Sequence, residues 1–126
     1  MKIVGIDFGT KRVGLAISDE TQTFARELTI VPPHEVFKAL AALQAEEEVE
    51  GFALGYPLSM GGTITQKTEE VLKFKEDLEK KFNLPVELVD ERLSSVMAEN
   101  LPGGSEHVDS LAAQIILQTY LDKNKH

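Results

Sequence analysis

The sequence predicts an α/β fold with a mixed five-stranded sheet and helices on both faces. Three short apolar runs lie between residues 2 and 31, and their connections are too short for a crossover helix, so they should be antiparallel neighbours. Two later apolar runs each follow a helical pattern, which favours strands parallel to a sheet neighbour. The expected order is βββαβαβα, in a single domain spanning residues 1–126.

The first three strands are short apolar runs bounded by turn-forming residues. They are predicted over residues 2–8, 12–18 and 24–31, with turns at 9–11 and 19–23. The third run alternates weakly between apolar and polar residues, as a strand does.

The first helix should open at Pro33, because proline is favoured in a first helical turn. Val36, Leu40 and Leu43 then recur at helical spacing, and the pattern runs to about Glu48. Five further elements are predicted. Two are strands, over residues 51–56 and 86–90. Three are helices, namely a long one over 63–82, a short one over 94–100 and a last one over 105–122.

The long helix and the last helix differ in their apolar surfaces. The long helix has a single apolar stripe, formed by Val71, Phe74, Leu78 and Phe82. The last helix begins near Ser105, a good N-cap residue, and is apolar on much of its circumference. We therefore expect the last helix to pack against the sheet.

The composition excludes several classes of function. The 126 residues include no cysteine, which excludes a disulfide scaffold, a thiolate zinc site and a cysteine nucleophile. The lack of tryptophan and the 6% of aromatic residues argue against a broad surface for stacking bases. Thirteen basic against 21 acidic residues give a net charge of −8, so any binding of nucleic acid must use a local basic patch or metal ions.

The hydropathy of the chain predicts a cytoplasmic protein that does not contact a membrane. No apolar run approaches the ~18 residues of a membrane span. The N-terminal apolar run ends at Asp7, which is unlike a signal peptide.

Acidic residues occur at three positions where chemistry is expected. Asp7 ends an apolar strand, Asp90 and Glu91 lie where the fifth strand ends and its loop begins, and Asp109 lies in the first turns of the last helix. Each also has a purely structural interpretation. Asp7 could form the turn before Gly9, and Asp90 and Glu91 could be a solvated charge cluster. Asp109 could be an acid that the helix dipole favours. Together such acids can converge on a hard divalent cation that activates a water molecule.

Other catalytic arrangements find no support in the sequence. His34, His107 and His126 do not have the spacing of metal ligands, and the chain contains no GxxxxGK[ST] phosphate loop. The stretch at 55–60 lacks the nucleophile-elbow pattern.

Four motifs resemble one known family. In chain order they are GIDFGTKRVG at 5–14, GYPLSMGGT at 55–63, DERLSSV at 90–96, and VDSLAA at 108–113 followed by ILQTYL at 116–121. They are similar to motifs of the YqgF family, whose members are named Holliday-junction resolvases or pre-16S ribosomal RNA nucleases. This family belongs to the ribonuclease-H-like superfamily, and its fold agrees with the element order predicted above.

The resemblance implies a metal-dependent endonuclease with catalytic, metal-binding acids at Asp7, Glu91 and Asp109. It implies Mg²⁺ or Mn²⁺ as the cofactor. Asp90 is the alternative acid, but strand alternation points Asp90 and Glu91 to opposite faces.

The resemblance also implies a nucleic-acid substrate, either a ribosomal RNA precursor or a branched DNA. Contacts to the nucleic-acid backbone would come from Thr10, Lys11, Arg12 and Arg92. The oligomeric state stays open between monomer and homodimer.

Two other functions remain open at this point. The acidic balance and the lack of Lys or Arg at 100–107 favour a non-catalytic factor that binds nucleic acid or protein in transcription or ribosome maturation. The segment DFGT at 7–10 also resembles the first phosphate motif of actin-like ATPases. Those enzymes need two such domains around a cleft, whereas this chain has the length of one.

Overall fold

The computed structural model describes residues 1–9, 11–56, 66–90 and 108–124. Within these ranges lie five strands and three α-helices. The strands are Lys2–Phe8 (β1), Val13–Ser18 (β2), Ala25–Val31 (β3), Val49–Tyr56 (β4) and Val86–Asp90 (β5). The helices are Val36–Glu47 (α1), Gln66–Phe82 (α2) and Val108–Lys123 (α3), and a 3-10 turn at Pro33–Glu35 leads into α1.

The five strands form one mixed sheet in the order β3-β2-β1-β4-β5. β1 pairs antiparallel with β2, and β2 pairs antiparallel with β3. β4 lies parallel to β1 and β5 lies parallel to β4, because a helix precedes each of them. The predicted mixed sheet and its strand directions are therefore confirmed.

The boundaries differ from the prediction mainly at β4. Glu48 adopts a left-handed conformation with φ of 54°, which ends α1, and the chain enters β4 directly at Val49. β4 thus begins two residues before the predicted residue 51. The predicted loop at 57–62, the short helix at 94–100 and the expected helix starts at 63 and 105 lie outside the described residues.

Two apolar clusters cover the two faces of the sheet. Val4 and Ile6 of β1 belong to the cluster that α1 and α2 complete, and this cluster includes the predicted stripe of α2. Ile3 belongs to the opposite cluster, which α3 completes through Ala113 and Leu117 among others. Helices therefore cover both faces, as predicted, and α3 alone of the described helices covers its face.

Helix α3 packs very closely on the centre of the sheet. A Cβ atom at Gly5 of β1 would lie 2.6 Å from the Cβ of Leu117 and 2.8 Å from the carbonyl oxygen of Ala113. Such distances are shorter than real Cβ contacts, so glycine is required at this position.

Two glutamines of α3 also tie the helix to the start of β3. The amide of Gln118 accepts a bond from the Ala25 N–H at 2.8 Å and donates to the Thr23 carbonyl at 2.9 Å. The Gln114 amide donates to the Ala25 carbonyl at 3.1 Å. These bonds satisfy backbone groups at the end of an edge strand and fix how α3 lies across the sheet.

The turn between β2 and β3 is organised by the carboxylate of Asp19. It accepts hydrogen bonds from the Thr21 hydroxyl at 2.6 Å and from the backbone N–H groups of Thr23 and Phe24 at 2.8 and 3.1 Å. These bonds, that of Thr21 above all, lower the pKa of Asp19 from 3.8 to about 2.

Asp19→Asn should therefore change how stability depends on acid. The folded state holds the ionised form, so its stabilising effect is complete above the ordinary pKa of 3.8 and is lost as the pH falls towards about 2. The difference in free energy of unfolding between the native protein and Asp19→Asn should shrink over that interval. Urea denaturation of both proteins across this range measures it, and a difference independent of pH would contradict the role given to the carboxylate.

No helix in the described ranges is both long enough and apolar enough to cross a membrane.

Candidate active site

Asp7 lies at the carboxyl end of the central strand β1, on the face that α3 covers. Ile3 packs with the α3 cluster, and Gly5 meets α3 directly. Because alternate residues of a strand share a face, Asp7 is the next residue of this row. It is half-buried, whereas the neighbouring Phe8 stacks on Phe74 of α2 on the other face.

Helix α3 runs antiparallel to β1, with its first turn towards Asp7. Ile3 lines a cavity with Tyr120, whereas Gly5 lies against Ala113. A further step of two residues along β1 covers ~6.7 Å, and four residues back along α3 cover ~6 Å. The start of α3, where Asp109 lies, is therefore directed towards the end of β1 that carries Asp7.

The carboxyl end of β5 lies at the same edge of the sheet, because β1, β4 and β5 are parallel. Val89 packs into the α3 cluster and so shares a face with Asp7. Asp90 is exposed, and alternation puts it on the opposite face. Glu91 lies outside the described residues.

Two glycines flank Asp7 on the neighbouring strands. Asp7 pairs directly with Gly14 of β2. On β4 the ladder pairs Ile6 with Leu54, so Gly55 is the next residue and falls beside Asp7. Any other residue at these two positions would place a Cβ about 4.5–5.5 Å from that of Asp7.

Gly14, Asp7 and Gly55 thus form a row across β2, β1 and β4, and Asp7 is the one residue of this row that has a side chain. Neither neighbouring strand therefore places a side chain directly beside its carboxylate. Reasoning from the sequence missed Gly14 and Gly55 as members of the site. The available signal was a glycine within an apolar strand, which often marks the close approach of a ligand or backbone.

The predicted basic contacts lie next to Asp7 in the turn between β1 and β2. Lys11 and Arg12 are exposed. The turn is tight, because a Cβ at Gly9 would lie 2.6 Å from the carbonyl oxygen of Arg12. The structure thus brings these two cations to the edge that holds Asp7, while Thr10 and Arg92 lie outside the described residues.

The described ranges contain no group of three His, Asp or Glu side chains that could hold a metal ion. What they bring to one edge of the sheet is the carboxylate of Asp7, the cations Lys11 and Arg12, and the first turn of α3. A carboxylate and cations at the carboxyl ends of parallel strands form an arrangement suited to a phosphate-containing ligand.

The sequence matches a family model described as RuvX, Holliday junction resolvase, over residues 1–123. Among curated relatives, a protein of Maridesulfovibrio salexigens is 42% identical over 96% of this chain and 98% of its own length. A protein of Bacteroides thetaiotaomicron is 39% identical over 98% of each chain. Both relatives carry the provisional name of pre-16S rRNA nuclease.

Solved structures with a similar fold include two resolvases. RuvC of Thermus thermophilus in complex with a Holliday junction substrate superposes with a TM-score of 0.59 and 15% identity, over 98% of this chain and 96% of that chain. The fowlpox virus Holliday junction resolvase gives a TM-score of 0.55 and 14% identity, over 98% of this chain and 99% of that chain. These likenesses confirm the ribonuclease-H-like fold.

Proposed function

The chain belongs to the RuvX family of Holliday junction resolvases, and on that premise we propose that it is an endonuclease that depends on a divalent metal. The observation that carries the proposal is the position of Asp7. Its carboxylate ends the central strand, lies on the face covered by α3, and has glycine on both neighbouring strands. A functional carboxylate needs a rigid support, which the central strand of the sheet provides.

The proposed metal ligands are Asp7, Glu91 and Asp109. The donor set fits Mg²⁺ or Mn²⁺, because hard divalent cations prefer carboxylate oxygens and keep positions for water and substrate phosphate. When bound, such ions supply an activated water and stabilise the leaving oxygen of a phosphodiester. The direction of α3, which begins towards the end of β1 that carries Asp7, and the face of Val89 both support this set.

The residues of the chain position the substrate around that chemistry. Lys11 and Arg12 stand in a tight turn directly after Asp7, where they can bind consecutive phosphates. Arg92, next to Glu91, is proposed as a third such contact. β1 is held between two paired strands, so the Asp7 carboxylate needs little reorganisation when substrate binds.

The proposed substrate is a ribosomal RNA precursor, in keeping with the names of the relatives from Maridesulfovibrio salexigens and Bacteroides thetaiotaomicron. A branched DNA is the second candidate substrate, because the family model is described as a Holliday junction resolvase. A non-catalytic factor that binds nucleic acid or protein remains the alternative function. The net charge of −8 favours the protein-binding form of this alternative, since it disfavours tight binding of nucleic acid without metal ions.

The deciding experiment is a cleavage assay on both substrates. The protein is incubated with a precursor of 16S rRNA and with a four-way DNA junction, each in Mg²⁺, in Mn²⁺ or in EDTA. We expect defined cleavage products from the RNA precursor in the presence of metal and none in EDTA. Binding of the precursor without cleavage under every condition would favour the non-catalytic factor.

Binding should depend on salt only moderately, because few cations stand at the site. With Lys11, Arg12 and Arg92 each neutralising about one phosphate, the slope of log affinity against log salt should be roughly −2 to −3. Lys11→Ala should reduce the slope by about one unit. Lys38→Ala, which removes an exposed cation from α1, is the matched control and should leave the slope unchanged. A slope near −8 would contradict the proposed contacts.

A further inference from the structure

A groove runs along β5, the strand at one edge of the sheet. It consists of two adjoining cavities of about 330 and 200 Å³, which share Glu87 and Tyr120. The larger cavity is lined by Ile3 and Tyr120 on the face of the sheet that α3 covers, and it lies at the end of the sheet opposite Asp7. We call the two cavities together the β5 groove.

The edge of β5 offers peptide groups to a further strand. The Phe52 N–H donates to the Pro85 carbonyl at 3.0 Å, so Pro85 and every second residue after it face β4. The peptide groups of Val86 and Leu88 therefore point away from β4. In the part of the chain that the structure describes, no strand pairs with this outer edge.

The larger cavity of the β5 groove is also negatively charged. Glu50 and Glu87 line it together with Tyr120. Burial raises the pKa of the Tyr120 hydroxyl, and the charges of Glu87 and Glu50 raise it further. Glu50 accepts a hydrogen bond from the amide of Gln22, which orients its carboxylate without neutralising it. Lys123 contributes a cation only to the smaller cavity.

We propose that the β5 groove binds an extended basic segment of a protein partner, which adds as a strand to β5 and places a Lys or Arg side chain in the larger cavity. The aliphatic stem of such a side chain would pack on the Tyr120 ring, and its cation would reach Glu50 and Glu87. Main-chain bonds to an edge strand provide affinity in this mode, and alternate side chains provide specificity.

Charge complementarity decides between the occupants of the groove. A nucleic acid would bring phosphates towards two carboxylates, which disfavours it at this surface. A second copy of the chain would bring another net charge of −8. A basic segment is the partner whose charge complements the cavity.

A labelled peptide tests the proposal with the full-length protein. The probe is fluorescein-labelled RVRVRV with both ends blocked, and its binding is followed by fluorescence anisotropy at 0.15 M salt, where weak surface attraction is screened. We expect saturable binding that Glu87→Lys weakens roughly tenfold or more, as the loss of a close charge pair does. Glu46→Lys makes the same charge change on exposed α1 and should leave the affinity within about twofold.

A second probe separates strand addition from simple attraction of charges. The same peptide with N-methyl groups on alternate residues keeps its charge but loses donors needed to pair with β5. It should bind much more weakly than RVRVRV. Three results would each overturn the proposal. They are equal binding of the two peptides, equal weakening by Glu87→Lys and Glu46→Lys, and no saturable binding up to about 1 mM. Glu87→Lys should leave cleavage of nucleic acid unchanged, since Glu87 lies outside the proposed active site.

Discussion

Asp7→Asn is expected to abolish cleavage while the protein stays folded. Asparagine keeps the shape of the side chain but replaces the charged oxygen that a divalent cation requires. The loss of activity should exceed the ~10–100-fold that removal of an outer-shell partner typically costs. The backbone pairing of residue 7 with Gly14 is unaffected by the substitution, so the sheet should form normally.

The stability of the metal-free protein distinguishes the catalytic role of Asp7 from a structural one. If Asp7 is held near Glu91 and Asp109, neutralising it relieves repulsion between like charges, and the Tm without metal should hold or rise. A marked fall in Tm would instead indicate that Asp7 stabilises the turn before Gly9.

Asp19→Asn provides the matched control for the activity measurement. It replaces a carboxylate by an amide in the turn between β2 and β3, away from the carboxyl end of β1. It should retain cleavage. Cleavage retained by Asp7→Asn in both Mg²⁺ and Mn²⁺ would refute the proposed active site.

Much of the fold could be predicted because local signals agree with the tertiary structure. Short turns at 9–11 and 19–23 leave only an antiparallel meander for the first three strands, and this is the arrangement observed. Pro33 and the spacing of apolar residues after it predict the start of the first helical segment. The prediction placed the start of β4 two residues too late. The strand begins with Val49-Glu50, and the charged Glu50 interrupts the apolar run by which a buried strand is identified.

The surroundings of Asp7 could not be predicted, because they depend on register between strands. That Gly14 and Gly55 lie on either side of Asp7 follows from two ladders, and one of these joins segments almost fifty residues apart. The face of Asp90 also follows from the structure, since the burial of Val89 against α3 leaves Asp90 on the opposite face. The β5 groove likewise depends on β5 being the edge strand, which no local pattern of the sequence indicates.

Gly5→Ala is expected to destabilise the protein strongly through the packing of α3. The new Cβ would lie 2.6 Å from the Leu117 Cβ and 2.8 Å from the Ala113 carbonyl oxygen, and neither atom belongs to a flexible end of a side chain. The helix must therefore move as a body. Overpacking of this kind costs ~1–3 kcal/mol or more, and the ~0.4–1 kcal/mol gained by restricting the unfolded chain does not offset it.

Gly51→Ala is the matched control, because it adds the same methyl group to the adjacent strand β4. Its nearest neighbours would be the Pro85 carbonyl oxygen at 3.2 Å and the Pro85 Cγ at 3.4 Å, distances that small shifts relieve. Thermal unfolding should give a Tm roughly 5–15 °C lower for Gly5→Ala and little change for Gly51→Ala. Equal Tm values for the two variants would contradict the close packing of α3 on β1.

The same pair of variants links the packing of α3 to the proposed site. Asp109 is in the first turn of α3, so a shift of the helix away from Gly5 should also move Asp109 relative to Asp7. Cleavage per folded molecule, measured well below both Tm values, should therefore fall in Gly5→Ala and be kept in Gly51→Ala. If Gly5→Ala lowers the Tm but leaves this rate unchanged, Asp109 does not act together with Asp7. The proposed metal site would then have to be built from Asp7 and Glu91 without the helix, since a catalytic ligand displaced by a fraction of an ångström loses much of its effect.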